Sequence, residues 1–466
     1  MATMTKTQTM PTSSPKAIPL WQQLQSVVGV LQAVHNGQST QQALADVPAA
    51  LRPGVQALSY AALRQWGVAR ALRQLLVPRK PQPAIDALLC GALALLWQQA
   101  PASESNQSNV YTDFTLVNQA VEAAKRHPKW RHQSNLVNAV LRRYLREQAQ
   151  WHADMVATSP QQEPALRNVP AWWWQRLQRD YGEQALEVVR ASLQPALMTL
   201  RVNAQHMTAE AYLQQHLLPA GLQAVCNGEY GVTLMRAVPV QQLPGFAQGW
   251  VSVQDQAAQQ AAPLLLAQLP EQGERPLRVL DACAAPGGKT AHLLELNPYL
   301  QVIALEVDAA RAERIHDNLQ RIGAQAQVLV ADAGDVAAWW DGEPFDAILL
   351  DAPCTASGIM RRHPDVPWLR RAEDVPQLAA QQRRLLEAMW PLLREGGAMV
   401  YCTCSVFKEE GEQQVVAFLQ RHRDAIAHKS PGHLLPTVLK TVQNAQYSDH
   451  DGFFYALFTK QTNMAA

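Results

Sequence analysis

The sequence predicts three folded parts: an all-α domain over residues 17–155, a small α+β module over 160–249, and an α/β domain built on a parallel sheet over 250–462. Two patterns carry that division. Through Gln150 the apolar residues recur at helical spacing with almost no alternating stretches, whereas after Gln254 short apolar runs, turns and amphipathic helices repeat. A chain of 466 residues also exceeds what one hydrophobic core ordinarily serves.

The first 16 residues, rich in Ser and Thr with Lys6 and Lys16, lack the apolar centre of a secretory signal and read as a disordered tail. The helical part opens on WQQLQSVVGVLQAV and continues through IDALLCGALALLW. Its last helix spans about Ser134 to Gln150, with Leu136, Val140, Leu141 and Leu145 on one side of the helical repeat. Between Glu122 and Glu147 lie seven basic residues, Lys125, Arg126, Lys129, Arg131, Arg142, Arg143 and Arg146, against those two glutamates. A solvated helix face is the ordinary reading of such a run, and an RNA-facing patch is the sharper one.

A polar connector, His152 to Arg167, leads into the mixed region. There PAWWWQRLQRDYG starts a helix, TLRVN reads as a short strand, AEAYLQQHLLPAG as a further helix and GVTLM as a turn-bounded strand. Trp172, Trp173 and Trp174 follow Pro170 on the first of these helices, where anchoring in a core is expected ahead of stacking on bases.

The α/β part reads RVLDACAAPGGKTAHLLEL, QVIALEVDAARAERIHDNLQRIG, AQVLVADAGD, FDAILLDAPC and LLREGGAMVYCTCSV, a succession of βαβ units with helices on both sheet faces. Ligands of such sheets bind beyond the carboxyl ends of the strands. At the first end, Gly287 and Gly288 allow close approach of backbone to a ligand, and the following helix offers its positive N-terminus to a carboxylate. At the second, Glu306 is placed to accept hydrogen bonds from ribose hydroxyls, with Asp308 as N-cap of the next helix. At the third, Asp332 stands where an adenine amino group would be held. A glycine turn followed by strand-end acids points to a nucleoside ligand.

The fourth strand ends on Asp351, Pro353 and Cys354, and the fifth on Cys404, which Lys408, Glu409 and Glu410 follow. Two thiols and a carboxylate at one rim suit covalent catalysis, but the spacing does not rank the thiols as nucleophiles. Cys402, two residues before Cys404 and on the same sheet face, reads as strand core, as do Cys90 and Cys226 within their own elements. Zinc is not expected, because a CxC pair lacks the usual ligand spacing.

Charge and composition exclude little: the net charge of +1 gives no global pull toward nucleic acid, so any RNA surface must come from local clustering. Six cysteines in a chain of this size are too sparse for a disulfide framework, and no run of residues approaches a membrane span. A cytoplasmic monomer without metal or membrane association is expected. Rivals are a Rossmann-type methyltransferase that uses no cysteine, which would carry an NPPY-like loop where this chain has DAPC, and a non-enzymatic RNA-binding factor.

DACAAPGGKT, LLDAPCTASGIMRRHPD and YCTCS resemble the NOL1/NOP2/Sun family of RNA cytosine-5 methyltransferases. SNLVNAVLRR resembles the NusB-like RNA-binding domain that precedes the catalytic part, and TLRVN with VSVQDQAAQ resembles the family's junction into it. The resemblance implies a NusB-like N-terminal domain, an RRM-like middle module and a Rossmann-like methyltransferase domain. It further implies S-adenosyl-L-methionine as cofactor and RNA, in particular small-subunit 16S ribosomal RNA, as substrate. The cofactor loop falls on Cys283, Ala284, Ala285, Pro286, Gly287, Gly288 and Lys289, with Glu306, Asp332 and Asp351 as further cofactor-site residues. By the same resemblance Cys404 attacks carbon 6 of the cytosine; the chemistry of that addition makes Asp351 the candidate for ring nitrogen 3, and Cys354 is placed to assist release. Two departures stand out: Glu306 replaces the usual Asp, and Cys402 replaces a small residue. Arg361, Arg362, His363, Arg370 and Arg371 are expected at the RNA entrance.

Overall fold

The computed structural model describes residues 18–98, 111–157, 164–271, 273, 275–438 and 448–462, so the tail expected at 1–16 and part of the connector lie outside the described residues. The chain divides into two compact units, Met1–Asn168 and Val169–Ala466. Among the described residues no helix is long and apolar enough to cross a membrane, and no three His, Cys, Asp or Glu side chains group as a metal site would require.

The first unit is entirely helical among its described residues. The helix Pro83–Gln98, apolar nearly all round, is buried between amphipathic neighbours, as its Leu88, Leu89, Leu93 and Leu96 show. The helix Ser134–Arg146 buries Val137, Val140, Leu141 and Tyr144, while Leu136 and Leu145 are only half-buried. The apolar stripe is therefore centred about one residue away from the expected one, because Tyr144 packs inward with its aromatic ring. All seven basic residues between Glu122 and Glu147 are exposed. Arg126 bonds Glu122 at 2.5 Å, and Arg143 and Arg146 bond Glu147 at 3.0 Å each. Surface pairs of this kind contribute little to stability and leave a net positive face.

The second unit holds two sheets. The smaller comprises β1 (Met198–Val202), β2 (Ala224–Cys226), β3 (Gly231–Leu234) and β4 (Val251–Val253), antiparallel in the order β2-β3-β1-β4. TLRVN and GVTLM form β1 and β3, but β2 and β4, three residues each, carry no readable alternation and pair only because β3 and β1 offer edges. Cys226, expected in the core, is half-buried on β2 and donates to Glu210 at 3.1 Å. Trp173 and Trp174 are buried with Val406 and Phe407, Trp173 meeting the Phe407 ring edge-on at 4.9 Å, so the tryptophans anchor the helix Ala171–Tyr181.

The larger sheet contains β5 (Arg278–Asp281), β6 (Gln301–Glu306), β7 (Gln327–Val330), β8 (Phe345–Asp351), β9 (Leu393–Thr403), β10 (Ala425–Leu434) and β11 (Phe453–Lys460), in the order β10-β11-β9-β8-β5-β6-β7. Strands β5 to β9 run parallel, and each face is covered by its own apolar cluster. The sheet is not wholly parallel, however: β11 lies antiparallel to β9, and β10 antiparallel to β11. The helix Glu412–Arg421 is followed by a direct return through β10, so β11 enters between β9 and β10 against the common direction. The order reverses between β5 and β8, which opens a crevice at their carboxyl ends.

Candidate active site

Strand β5 ends at Asp281, and the chain turns through Cys283 to Gly287 before the helix Gly288–Leu296. Gly287 adopts φ +93°, and a Cβ there would stand 3.0 Å from Ile315 Cα, so both the backbone conformation and the neighbouring helix require glycine. The turn is held from outside. Arg311 donates to the Ala285 carbonyl at 3.3 Å and Asn318 to the Pro286 carbonyl at 2.7 Å, both from the helix Ala309–Ile322. Asp308 caps that helix, accepting from the Arg311 backbone N–H at 3.0 Å. Inside the turn, Thr290 Oγ1 donates to Asp281 at 2.6 Å. Burial pushes the Asp281 carboxyl up to about 6.

Glu306 closes β6 with its side chain 3% exposed, accepting from the Asp308 N–H at 3.0 Å and lying 3.3 Å from Arg311. Asp332, two residues past β7, is exposed; it accepts from Gly334 N at 2.8 Å and from Arg384 through both oxygens at 3.0 Å. A carboxylate offers about four acceptor directions, so one more donor can still be taken.

The thiols converge. Asp351 ends β8 and pairs in register with Cys402 on β9, which places Cys354 and Cys404 on the two chains as they leave the sheet side by side. Their sulfurs are 3.4 Å apart. The hydrogen bond with Cys404 and burial hold the Cys354 thiol well above the usual thiol range. Lys289 Nζ, from the glycine turn, donates to Asp351 Oδ2 at 2.6 Å, and Cys402 Sγ approaches Oδ1 at 3.6 Å. Burial works against the Lys289 ammonium, yet the adjoining Asp351 outweighs it and keeps the group protonated far above neutral pH. Burial also pushes up the Cys402 and Cys283 thiols, which suits inert packing groups.

The basic residues beyond Cys354 do not form one rim. Arg361 is fully buried and donates to Asp449 at 2.8 Å and to the Thr437 carbonyl at 2.8 Å, while Arg362 bridges Asp451 at 2.6 Å and Asp255 at 2.9 Å. Asp449 thus holds Arg361 inside, away from any entrance for RNA, whereas Arg362, paired with two aspartates, keeps its side chain 26% exposed. Arg370 donates to the Thr355 carbonyl at 3.1 Å and Arg371 is exposed.

One group escaped sequence reasoning. Arg201 on β1 is wholly buried and donates to both oxygens of Glu295 at 2.7 Å, to Gln254 at 2.5 Å and to the Gly288 carbonyl at 2.7 Å. The small sheet thereby fixes the first residue of the helix after the glycine turn. The signal was a charged residue between Leu200 and Val202 in a short buried strand. Removing one partner strands the other charge, so Arg201→Met is expected to cost about 3 kcal/mol in urea denaturation, with much of that recovered in the double variant with Glu295→Leu.

A seven-stranded sheet with one antiparallel strand inserted beside its edge, a glycine turn after β5 and acids at successive strand ends define a Rossmann-like methyltransferase. The description 16S rRNA methyltransferase RsmB/F matches residues 265–459, and the RsmF/B-like ferredoxin-like domain matches residues 169–241. Ribosomal RNA small subunit methyltransferase B of Vibrio cholerae is 40% identical over 443 residues, spanning 92% of this chain and 95% of that protein. Its namesake in Xylella fastidiosa is 43% identical over 414 residues, spanning 88% and 90%. Among solved structures, PH0851 matches with a TM-score of 0.69 at 24% identity over 95% of this chain and 99% of its own. NSun6 from Pyrococcus horikoshii with SFG matches with a TM-score of 0.52 at 19% identity over 63% and 99%. These two share the fold. The chain belongs to the RsmB/F family of 16S rRNA methyltransferases.

Proposed function

We propose that this protein transfers a methyl group from S-adenosyl-L-methionine to carbon 5 of a cytosine in 16S ribosomal RNA through a covalent bond to Cys404. The observation that carries the reading is the pair of sulfurs 3.4 Å apart beside Asp351 and Lys289, at the mouth of the glycine turn. The donor set fits the cofactor: a helix N-terminus after the glycine turn for a carboxylate, Glu306 for ribose hydroxyls and Asp332, with an acceptor direction to spare, for an adenine amino group. When bound, the cofactor supplies an electrophilic methyl group on sulfur.

The remaining chemistry belongs to the chain. Carbon 5 of cytosine is a weak nucleophile. Addition of the Cys404 thiolate to carbon 6 forms an S–C6 bond and moves the ring π electrons toward carbon 5, which becomes an enamine carbon able to take the methyl. Asp351, steadied by Lys289, accepts a hydrogen bond from the ring's protonated nitrogen 3 or amino group and so favours that addition. After methylation the carbon 5 proton passes to a base, the electron pair restores the C5–C6 double bond, and the S–C6 bond breaks. Cys354, adjacent to the leaving sulfur, assists that last step by donating a hydrogen bond to it, so that Cys404 departs as the thiolate with which the cycle began. The exposed basic face of the helical N-terminal unit, NusB-like on this reading, contributes RNA affinity.

The test is bisulfite mapping of 16S ribosomal RNA from cells with and without the protein. One protected cytosine is expected to disappear in its absence; an unchanged map defeats the reading.

A further inference from the structure

Glu410 lies outside the groups assigned a chemical role above, yet its carboxylate is completely buried beside them. Oε1 accepts from the Thr355 backbone N–H at 2.8 Å and from Gln382 Nε2 at 3.2 Å. Oε2 accepts from Ser405 Oγ at 2.6 Å and from Thr355 Oγ1. Thr355 follows Cys354 and Ser405 follows Cys404, so a single carboxylate grips the residue immediately after each thiol. The bonds spread further: Ser357 Oγ lies 2.8 Å from Ser405 Oγ, and Gly358 N donates to the Cys404 carbonyl at 2.9 Å. Ala356, between these anchors, is held at φ +60°, a left-handed conformation that an alanine adopts only under constraint.

The donors to Glu410 are all neutral, so hydrogen bonds rather than an opposite charge hold it. That is an expensive way to keep a carboxylate inside a protein, and a Gln would satisfy several of the same donors more cheaply. A buried charge next to two thiols acts on both through space. We propose that Glu410 is the positioning residue of the thiol pair: it fixes the separation of Cys354 and Cys404, and its negative field keeps Cys354 a protonated thiol beside the attacking Cys404. This rests on the covalent reading above and adds to it a cause for the division of labour between two cysteines that spacing could not rank.

The charge map agrees. Facing Cys354 are Cys404, Glu410, the Tyr401 phenol and Arg370, which bonds the Cys354 and Thr355 carbonyls, while Lys289 and Asp351 act on the Cys404 side. Among these, Cys404 and then burial weigh most on the Cys354 thiol, and Glu410 raises it further. Burial raises the Glu410 carboxyl itself, and the bonds from Ser405, Thr355 and Gln382 counter that.

The test is the rate of iodoacetamide alkylation at Cys354, read by peptide mass mapping from pH 6 to 10 in the full chain, with kcat and the KM for S-adenosylmethionine on 16S RNA transcript. Glu410→Gln removes the charge and keeps the shape. It is expected to speed Cys354 alkylation at pH 8 several-fold, because the thiolate fraction rises when the charge goes, and to lower kcat about tenfold at little changed KM. Ser405→Ala keeps the charge and removes one tether, so it should lower kcat while leaving the alkylation profile in place, which guards against misfolding of the first variant. An alkylation profile of Glu410→Gln that overlies the wild type, or a Ser405→Ala enzyme with undiminished kcat, overturns the proposal. Failure of the covalent reading shows separately, as methylation by Cys404→Ala, and does not alter the alkylation comparison.

Discussion

Cys404→Ala is expected to abolish both methylation and any covalent protein–RNA complex, lowering turnover by on the order of 10^4-fold or more, as loss of a covalent nucleophile does. The expectation follows from placement. Cys404 leaves β9 one residue beyond Thr403, at the rim where Lys289 and Asp351 meet, and is only half-buried where Cys402, two residues earlier, is sealed into the sheet. Incubation of the variant with 16S transcript and labelled S-adenosylmethionine measures the loss. Retained transfer to carbon 5 would sink the assignment, and transfer lost in Cys402→Ala instead would move it to the thiol two residues earlier on the same face of β9.

Cys354→Ala has a different expected signature: RNA methylated once and then retained, visible as a slower protein band on a denaturing gel. Cys354 stands 3.4 Å from the sulfur that must leave carbon 6, and its thiol is held in the protonated state. Without it, the S–C6 bond breaks slowly while the steps before it proceed. On the order of one trapped RNA per enzyme is expected, with multiple-turnover rates down about a hundredfold, the scale of a lost general acid. The double variant with Cys404→Ala should show no band. A single variant that turns over normally without accumulating adduct would remove Cys354 from the release step.

Much of this site was legible from sequence because its parts lie at strand ends, and strand ends are marked locally. The glycine turn, Glu306, Asp308 as a cap and the β8 and β9 termini each follow an apolar run of strand length. The tryptophans were readable as anchors because Pro170 marks the start of their helix. Strands β10 and β11 were not anticipated, since β10, with Lys429, Pro431 and Gly432 in its middle, shows no clean alternation and forms on the edge that β11 presents. Arg361 misled because an arginine in the loop after a strand-end cysteine looks like a nucleic-acid contact until Asp449 arrives from elsewhere in the chain and holds it inside.

The order of βαβ units and the common rim at which Asp351, Cys354 and Cys404 leave the strands were determined by sequence alone, because hydrophobic period and turn chemistry act between neighbours in the chain. Which groups touch was decided only by the tertiary structure. Lys289 on Asp351, Arg201 on Glu295 and Glu410 on Thr355 and Ser405 join residues that no periodicity relates. Each is a polar group taken out of water, and burial forces it to find whatever partner the packed fold brings within reach.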